Sequence, residues 1–368
     1  MSNILLHIGK IGLVGIAVIV ILLLILVLIR SIIANSLKRK HMISTPEGID
    51  EEVVLNVGGI KQYLYIRGQN KNNPIILFLH GGPGGTMTSV LHVYQYHQES
   101  DYTVVNWDQR VSGKTYFLNQ KGAEKLDVQL NINILLDDLH EIVMYLQQRF
   151  EKKVILMGHS WGTVLGSLYV IKHPETVQAF VGVGQTINLN EGILEMGALL
   201  RAKAEANDAV ADVSRVDEYM SRVRQSSTIA NSEAMELYKI GKKYMPVDLN
   251  TTIFLKGLLT SPYYSLRELS YYLKMGKLAG TLFKYLVNYD LRDFSFEYDI
   301  PIIYMLGERD WHTRIIAKSY FDKLKAPFKQ FIIIEEAGHI PFLDQSERFA
   351  VELHNALNSA IGASIKEK

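Results

Sequence analysis

The chain has 368 residues, of which 48% are hydrophobic and 21% charged, and this composition excludes a long disordered protein. Its 39 basic and 38 acidic residues nearly cancel, so the chain lacks the basic excess that is typical of nucleic-acid-binding proteins. It contains no cysteine, which excludes disulfides, cysteine-ligated metals and thiol nucleophiles.

The first element along the chain is an uninterrupted apolar run over residues 11–29. In a helix this run spans roughly 28 Å, close to the hydrocarbon core of a bilayer, so it predicts a single-pass membrane anchor within residues 1–30. A buried core helix would show a polar face, which the run lacks. A cleaved signal peptide is the main alternative, but its apolar stretch is usually about 7–15 residues long. The one candidate cleavage sequence, residues 32–34, also has Ile where a small residue is needed.

Residues 31–50 are first basic and then polar, with Pro46 and Gly48, and predict a juxtamembrane linker. Lys10 precedes the apolar run, whereas several cations follow it. Because cations are enriched on the cytoplasmic side of membrane helices, this bias predicts a cytoplasmic location for the bulk of the chain. The cations that follow the run are Arg30, Lys38, Arg39 and Lys40.

Beyond residue 50, short apolar runs alternate with helical patterns. Continuously apolar strands suit a parallel sheet buried on both faces, and the alternation predicts a mostly parallel, doubly wound α/β sheet formed by residues 51–186 and 291–368. Residues 187–290 have helical spacing and few strand signals, and they predict a helical cap over one edge of the sheet. The predicted strands are 53–57, 61–67, 75–79, 103–107, 154–157, 179–183, 302–306 and 330–334, and the predicted helices lie near 134–150, 164–173, 313–324 and 345–360.

The strand at 154–157 runs directly into the sequence GHSWG at 158–162, and an apolar helical pattern follows. The pattern G-x-S-x-G between a strand and a helix is typical of a nucleophile elbow, where a sharp turn strains the serine backbone. Glycines are needed there because the strand and the helix pass close together. A serine in an ordinary tight turn is the alternative, but the strand–turn–helix context favours Ser160 as a nucleophile.

A serine hydroxyl is a poor nucleophile unless a base takes its proton, and in this type of fold the acid and then the base follow the serine in the chain. Asp310 comes just after the predicted strand 302–306, and His339 comes just after 330–334. The sequence therefore predicts Ser160, Asp310 and His339 as a catalytic triad.

Other residues near these positions were weighed for the same roles. Glu308 is the alternative acid, or else a solvated loop charge. His159 neighbours the serine but is expected to point away from it. His312 lies too close to Asp310 in sequence to connect it to Ser160.

The strand at 75–79 is followed by HGGPGG at 80–85, here called the glycine loop. Glycines let backbone N–H groups approach a substrate, so the N–H of Gly82 (or Gly81) and that of Trp161 form the predicted oxyanion hole. A loop that merely turns the chain is the alternative. A phosphate-binding loop fits poorly because neither G-x-G-x-x-G nor G-K-[ST] is present. No H-E-x-x-H pair occurs, so a metalloprotease is not supported. The sequence implies no metal and no cofactor.

Three motifs in order make the chain resemble the proline iminopeptidase branch of the α/β-hydrolase superfamily: HGGPGG at 80–85, WDQR at 107–110 and GHSWG at 158–162. The resemblance covers residues 50–360 approximately and matches 187–290 poorly. It implies an α/β-hydrolase fold and a serine aminopeptidase that acts on short peptides with an N-terminal proline or another small residue. It also implies that Asp108 and Arg110 brace the oxyanion loop. The family usually has glycine where this chain has Val111.

Proline iminopeptidases are expected to bind the free amine of the substrate with carboxylates of the cap. Most of the cap glutamates are nevertheless expected to be solvated charges on helix faces. Two tyrosine pairs, 263–264 and 271–272, could line an apolar pocket or pack in the core. The glutamates weighed for the amine are Glu191, Glu195, Glu205, Glu233, Glu236 and Glu268.

Two other functions stay open on the sequence alone. A carboxylic-ester or lipid-amide hydrolase tethered to a membrane would meet its substrate at the bilayer surface. A binding protein that keeps a hydrolase fold without activity is the second alternative, although it would be expected to lack a triad residue. The expected partners are therefore a small-molecule or short-peptide substrate and a membrane, with no nucleic acid, and no oligomeric state is predicted.

Overall fold

The fold was analysed on a computed structural model, which describes residues 2–121, 130–225, 231–245 and 251–366. Its centre is an eight-stranded sheet with the order β1-β2-β4-β3-β5-β6-β7-β8. The strands are β1 (Ile49–Val57), β2 (Ile60–Gly68), β3 (Ile75–Leu79), β4 (Thr103–Asp108), β5 (Val154–His159), β6 (Val177–Val183), β7 (Ile302–Gly307) and β8 (Lys329–Ile334).

The strands from β4 to β8 in this order run parallel, whereas β1 and β2 form an antiparallel hairpin that pairs with β4. The predicted doubly wound, mostly parallel sheet is thus confirmed. Gly58 and Gly59 connect the hairpin with φ values of +54° and +76°. A two-residue hairpin turn of this hand needs positive φ at both positions, which glycine adopts without steric cost.

The centre of the sheet is covered on both faces, so the strands β3, β5 and β7 are buried along their whole length. Successive side chains of a strand point to opposite faces. Ile75 and Leu77 accordingly pack with the helix over 132–150, whereas Ile76 and Phe78 pack with the helix over 346–366.

Apart from the N-terminal helix over 2–40, the helices among the described residues flank the sheet or lie between β6 and β7. Those between β6 and β7 have an apolar cluster of their own, which includes Met196, Val216 and Leu237. The helical cap over residues 187–290 stays a prediction. The helices are α1 (Ser2–Lys40), α2 (Gly113–Leu118), α3 (Ile132–Phe150), α4 (Trp161–Lys172), α5 (Leu189–Glu205), α6 (Val210–Gln225), α7 (Asn231–Tyr244), α8 (Thr251–Thr260), α9 (Leu266–Leu269), α10 (Met275–Leu278), α11 (Gly280–Val287), α12 (Arg314–Lys323), α13 (Pro341–Asp344) and α14 (Ser346–Lys366).

The helix α1 contains a stretch that is long and apolar enough to cross a membrane, and it lies near the N-terminus, where a signal sequence has the same properties. The helix does not end with the apolar run at Ile29. It continues through the first half of the predicted linker to Lys40.

Candidate active site

Ser160 occupies the turn between β5 and α4, with φ +52° and ψ −117°. A Cβ at Gly158 would lie 2.4 Å from the carbonyl oxygen of Gly162, and a Cβ at Gly162 would lie 2.0 Å from that of Leu79. No side chain fits at either glycine, because the strand and the helix touch there. The local geometry is therefore that of a nucleophile elbow.

Asp310 and His339 follow β7 and β8 and lie side by side. The Nδ1 of His339 is 3.0 Å from Oδ2 of Asp310, and the hydroxyl of Thr313 donates to the same oxygen. Burial by itself raises the pKa of Asp310, but positive charge on His339 and His312 together with these hydrogen bonds holds it below its ordinary value. Asp310 is therefore an ionised acceptor for the imidazole at neutral pH.

The loop of His339 lies against the elbow of Ser160. The Nε2 of His159 is 3.0 Å from the carbonyl oxygen of His339, and the two rings lie 5.1 Å apart between centroids. The N–H of Ser160 donates to the carbonyl of Val183 at 3.0 Å, and a Cβ on the next residue, Gly184, would lie 2.9 Å from the ring of His339. Two of the predicted triad residues are thus hydrogen-bonded, and the backbone of the third lies beside them.

Within the described residues, no hydrogen bond joins the Ser160 hydroxyl to His339. In substrate-free enzymes this contact is often long and tightens only when substrate binds. The structure therefore joins His339 to Asp310 by a hydrogen bond, and in the part of the chain that it describes it shows no such bond between His339 and the Ser160 hydroxyl.

The glycine loop passes directly beside the elbow. A Cβ at Gly81 would lie 3.2 Å from Cβ of Ser160, and Gly82 has φ +117°, which favours glycine. Trp161 begins α4, where the first N–H groups of a helix have no acceptor within the helix. Among the described residues, the N–H groups of Gly82 and Trp161 have no hydrogen-bond acceptor. Both are available to a substrate oxygen.

Comparison with known proteins agrees with this geometry. Residues 74–346 match the family model described as the alpha/beta hydrolase fold. The chain belongs to the α/β-hydrolase family. The relatives described next likewise confirm the resemblance to the proline iminopeptidase branch of this family.

The probable aminopeptidase YbaC of Bacillus subtilis (strain 168) is 26% identical over 306 residues, which cover 80% of this chain and 92% of the relative. A proline iminopeptidase of Lactobacillus delbrueckii subsp. bulgaricus is 23% identical over 300 residues, which cover 81% of this chain and 94% of that relative. The crystal structure of VinJ superposes with a TM-score of 0.58 at 19% identity, covering 84% of the hydrolase and 99% of VinJ. At this identity the structural likeness shows the fold alone.

Asp108 of the hydrolase holds the segment that follows the glycine loop. Its Oδ1 accepts hydrogen bonds from Thr86 and, at 2.7 Å, from Thr88. Its Oδ2 accepts from the N–H of Lys114 at 2.7 Å and from the hydroxyl of Tyr264. Asp108 thus has the bracing contacts that the resemblance implies.

Arg110 does not brace this loop. Its guanidinium bonds Asp138 at 2.6 Å and the carbonyl of Gly58 at 2.8 Å, so it ties α3 to the hairpin instead. The next residue, Val111, is buried with φ +57°. Because a β-branched residue is strained at positive φ, the geometry explains why glycine is usual here in the family.

Sequence reasoning missed the role of Gln109. Its N–H donates to Nε2 of His80 at 3.2 Å, its side-chain amide donates to the carbonyl of His80 at 3.1 Å, and its Oε1 accepts from the indole of Trp161 at 3.1 Å. Gln109 therefore connects the glycine loop with the elbow. Its place in the WDQR motif was the only sequence signal for this role.

Two further histidines surround Asp310 and His339. Burial, together with positive charge on His339, lowers the pKa of His159 to about 3 and that of His312 to about 4. The Nδ1 of His312 lies 3.4 Å from Oδ1 of Asp310 and is hydrogen-bonded to the hydroxyl of Tyr238 on α7. Both rings are therefore uncharged at neutral pH, and His312 contacts Asp310 without connecting it to Ser160.

We expect His159→Gln to flatten the dependence of stability on pH. The folded-state pKa of His159 is about 3, below its unfolded value of 6.5, so the unfolded state binds more protons between these values. The contribution of His159 to the free energy of unfolding is fully present above pH 6.5. It is lost as the pH falls, at up to about 1.4 kcal/mol per pH unit. Between pH 7 and pH 5, the free energy of unfolding of the variant should fall by about 2 kcal/mol less than that of the parent.

Urea unfolding of the full chain in detergent at the two pH values measures this difference. The matched control is His354→Gln, which changes a histidine on α14 whose side chain is 40% exposed, and it should behave as the parent. A slope for His159→Gln equal to that of the parent would show that the buried ring does not stay neutral.

Two tyrosines of the predicted cap donate hydrogen bonds to the glycine loop and to the residue that follows it. The hydroxyl of Tyr271 donates to the carbonyl of Gly84 at 2.8 Å, and that of Tyr272 donates to the carbonyl of Thr86 at 2.6 Å. Tyr271 is fully buried. These side chains therefore do more than fill the core, because they fix the loop beside Ser160.

Four of the glutamates considered for substrate binding have other partners in the part of the chain that the structure describes. Glu191 pairs with Arg292 at 2.5 Å, and Glu205 pairs with Arg201 at 2.5 Å. Glu236 pairs with Lys239, Glu268 accepts from the N–H of Ser265 at 2.6 Å, and Glu195 is exposed. The side chain of Glu233 lies outside the described residues.

Proposed function

We propose that the chain is a serine hydrolase that transfers an acyl group to water through Ser160, His339 and Asp310. The observation that carries the proposal is the 3.0 Å bond between His339 Nδ1 and Asp310 Oδ2 beside an elbow serine with φ +52°. Fold and family support hydrolysis in general. The arrangement of Ser160, His339 and Asp310 supports a specific mechanism for this hydrolysis.

In this mechanism Nε2 of His339 takes the proton of Ser160 as Oγ attacks the substrate carbonyl carbon. Asp310 keeps the proton of the imidazole on Nδ1 and stabilises the imidazolium that forms. The N–H groups of Gly82 and Trp161 stabilise the oxyanion. The imidazolium then gives its proton to the leaving group, and water releases the acyl group from Ser160 by the same steps.

We propose short peptides with an N-terminal proline or another small residue as the substrates. Relatives named aminopeptidase and proline iminopeptidase, aligned over about four-fifths of the chain, support this class. A carboxylic ester or lipid amide is the second candidate. It is favoured by the apolar N-terminal helix, since a tethered site would meet such substrates at the bilayer.

The two classes separate in an assay of the purified full chain in detergent. For a proline iminopeptidase, the anilide of proline is turned over well above the rate of the Ser160→Ala variant. Turnover of a carboxylic ester without turnover of the anilide would remove the peptidase proposal and favour the second candidate. Absence of labelling by a fluorophosphonate at Ser160 would instead favour a non-catalytic binding protein.

We also propose that residues 11–29 are an uncleaved membrane anchor and that the hydrolase lies on the cytoplasmic side. The contact of Arg30 with Ser261 and Tyr264 supports the first part, because cleavage at residues 32–34 would remove Arg30 and these hydrogen bonds. The cations after the apolar run support the second. Protease protection of a C-terminal tag in membrane vesicles of known sidedness tests this orientation.

A further inference from the structure

The last turns of α1 are packed on the cap at the level where the apolar run ends. Arg30 directly follows Ile29, and its Nη2 donates to the carbonyls of Ser261 at 3.1 Å and Tyr264 at 2.5 Å. Ala34, one turn further along the same face, is buried. If α1 crosses a bilayer, Ser261 therefore lies at the boundary between hydrocarbon and headgroups.

The helix α8 contacts α1 and ends at Thr260, one residue before Ser261, so its C-terminal end lies at the same level. Its inner face packs on the residues that follow the glycine loop, because a Cβ at Gly257 would lie 3.1 Å from Val90. Its outer face carries Leu255 and Leu259, which are 51% and 61% exposed. Residues four apart lie on one face of a helix, so the two leucines form one apolar patch beside α1.

We propose that α8 is a second membrane contact, which lies in the headgroup layer of the bilayer that α1 crosses, with Leu255 and Leu259 directed toward the acyl chains. The proposal rests on the proposed anchor. Its occupant is the bilayer because the patch continues the apolar surface of α1 and carries Lys256, also exposed, which suits lipid phosphates.

The position of α8 has a consequence for the site. The helix packs on Thr88–Val93, and Thr88 is hydrogen-bonded to Asp108. Tyr264, whose carbonyl accepts from Arg30, donates its hydroxyl to the same Asp108. The proposed membrane contact and the segment that follows the glycine loop are therefore parts of one packed unit.

Because the native chain has no cysteine, single cysteines can report membrane depth without background. The variants Leu255→Cys and Leu259→Cys are labelled with bimane and reconstituted as full chains in vesicles of equal phosphatidylcholine and phosphatidylglycerol. Quenching by lipids with a doxyl group near the headgroup is expected to exceed quenching by aqueous iodide several-fold at both positions. Iodide quenching alone at both positions would overturn the proposal.

Two controls make the outcome specific. Met144→Cys is the matched control, because Met144 is a 45% exposed apolar residue on α3, across the sheet from α8, and its label should respond to iodide only. Leu22→Cys tests the anchor, because its label should be quenched by lipids with a deep doxyl group. If Leu22 is quenched and positions 255 and 259 are not, α8 does not contact the membrane and the anchor stands. If Leu22 is not quenched either, the anchor itself is refuted.

Disulfide crosslinking of two chains through position 255 without lipid quenching would assign the patch to a second copy and overturn the membrane contact.

Discussion

Replacing Ser160 with alanine is expected to lower kcat on whichever substrate the hydrolase turns over by on the order of 10⁶-fold. Removal of Oγ abolishes the acyl-enzyme route, and only the catalysis that the N–H groups of Gly82 and Trp161 provide remains. The fold should be unaffected, because alanine has the same Cβ at φ +52° and no hydrogen bond of the Ser160 hydroxyl is lost among the described residues.

The measurement is steady-state turnover of the full chain in detergent, with labelling by a fluorophosphonate as a second readout. Ser359→Ala is the matched control, because Ser359 is an exposed serine on α14 whose hydroxyl bonds only the carbonyl of Asn355, at 2.9 Å. A Ser160→Ala protein with the turnover of the parent would refute the serine mechanism.

Asp310→Asn is expected to lower kcat by about 10⁴-fold. The amide cannot serve as an ionised acceptor for Nδ1 of His339, so the proton of the imidazole is no longer held on Nδ1 and Nε2 is not free to act as a base. Because Asp310 is buried and bonded to Thr313 as well, the isosteric replacement keeps its packing. The variant should therefore stay folded, although less stable than the parent because the pKa of Asp310 is lowered in the folded state, and the loss in kcat is measured under conditions where both proteins are folded.

Glu308→Gln is the control for this variant, since Glu308 was the alternative acid. Its Oε2 accepts from the N–H of Glu336 at 3.0 Å, and among the described residues it has no hydrogen bond to His339, so turnover should stay within a few-fold of the parent. A double variant, Ser160→Ala with Asp310→Asn, should be no slower than Ser160→Ala alone, because the residues act as a unit. A large loss from Glu308→Gln with little effect of Asp310→Asn would move the acid to Glu308.

The positions of the central strands were predictable because these strands are short, largely apolar runs. The predicted runs 75–79 and 302–306 correspond to β3 (Ile75–Leu79) and β7 (Ile302–Gly307) in the structure. Ser160, Asp310 and His339 each follow a predicted strand. Since the carboxyl ends of parallel strands meet at one edge of a sheet, their proximity could be expected without coordinates.

Contacts between distant segments were not predictable in this way. The implied brace at Arg110 proved to be a link to Asp138, because the direction of a side chain depends on what packs around it. His312 was excluded as a triad member on spacing, yet its ring lies 3.4 Å from Asp310. The contact of Tyr271 with Gly84 joins residues 187 positions apart in the chain, and no local pattern encodes it.

The sequence by itself determined the α/β sheet, the elbow and the apolar N-terminal run, since periodicity and glycine placement act over a few residues. Only the tertiary structure decided which side chains hold the glycine loop, how His159 and His312 surround His339, and that α1 extends to Lys40 with Arg30 against the cap. The physical reason is that hydrogen-bond partners and burial are set by the packing of elements far apart in the chain.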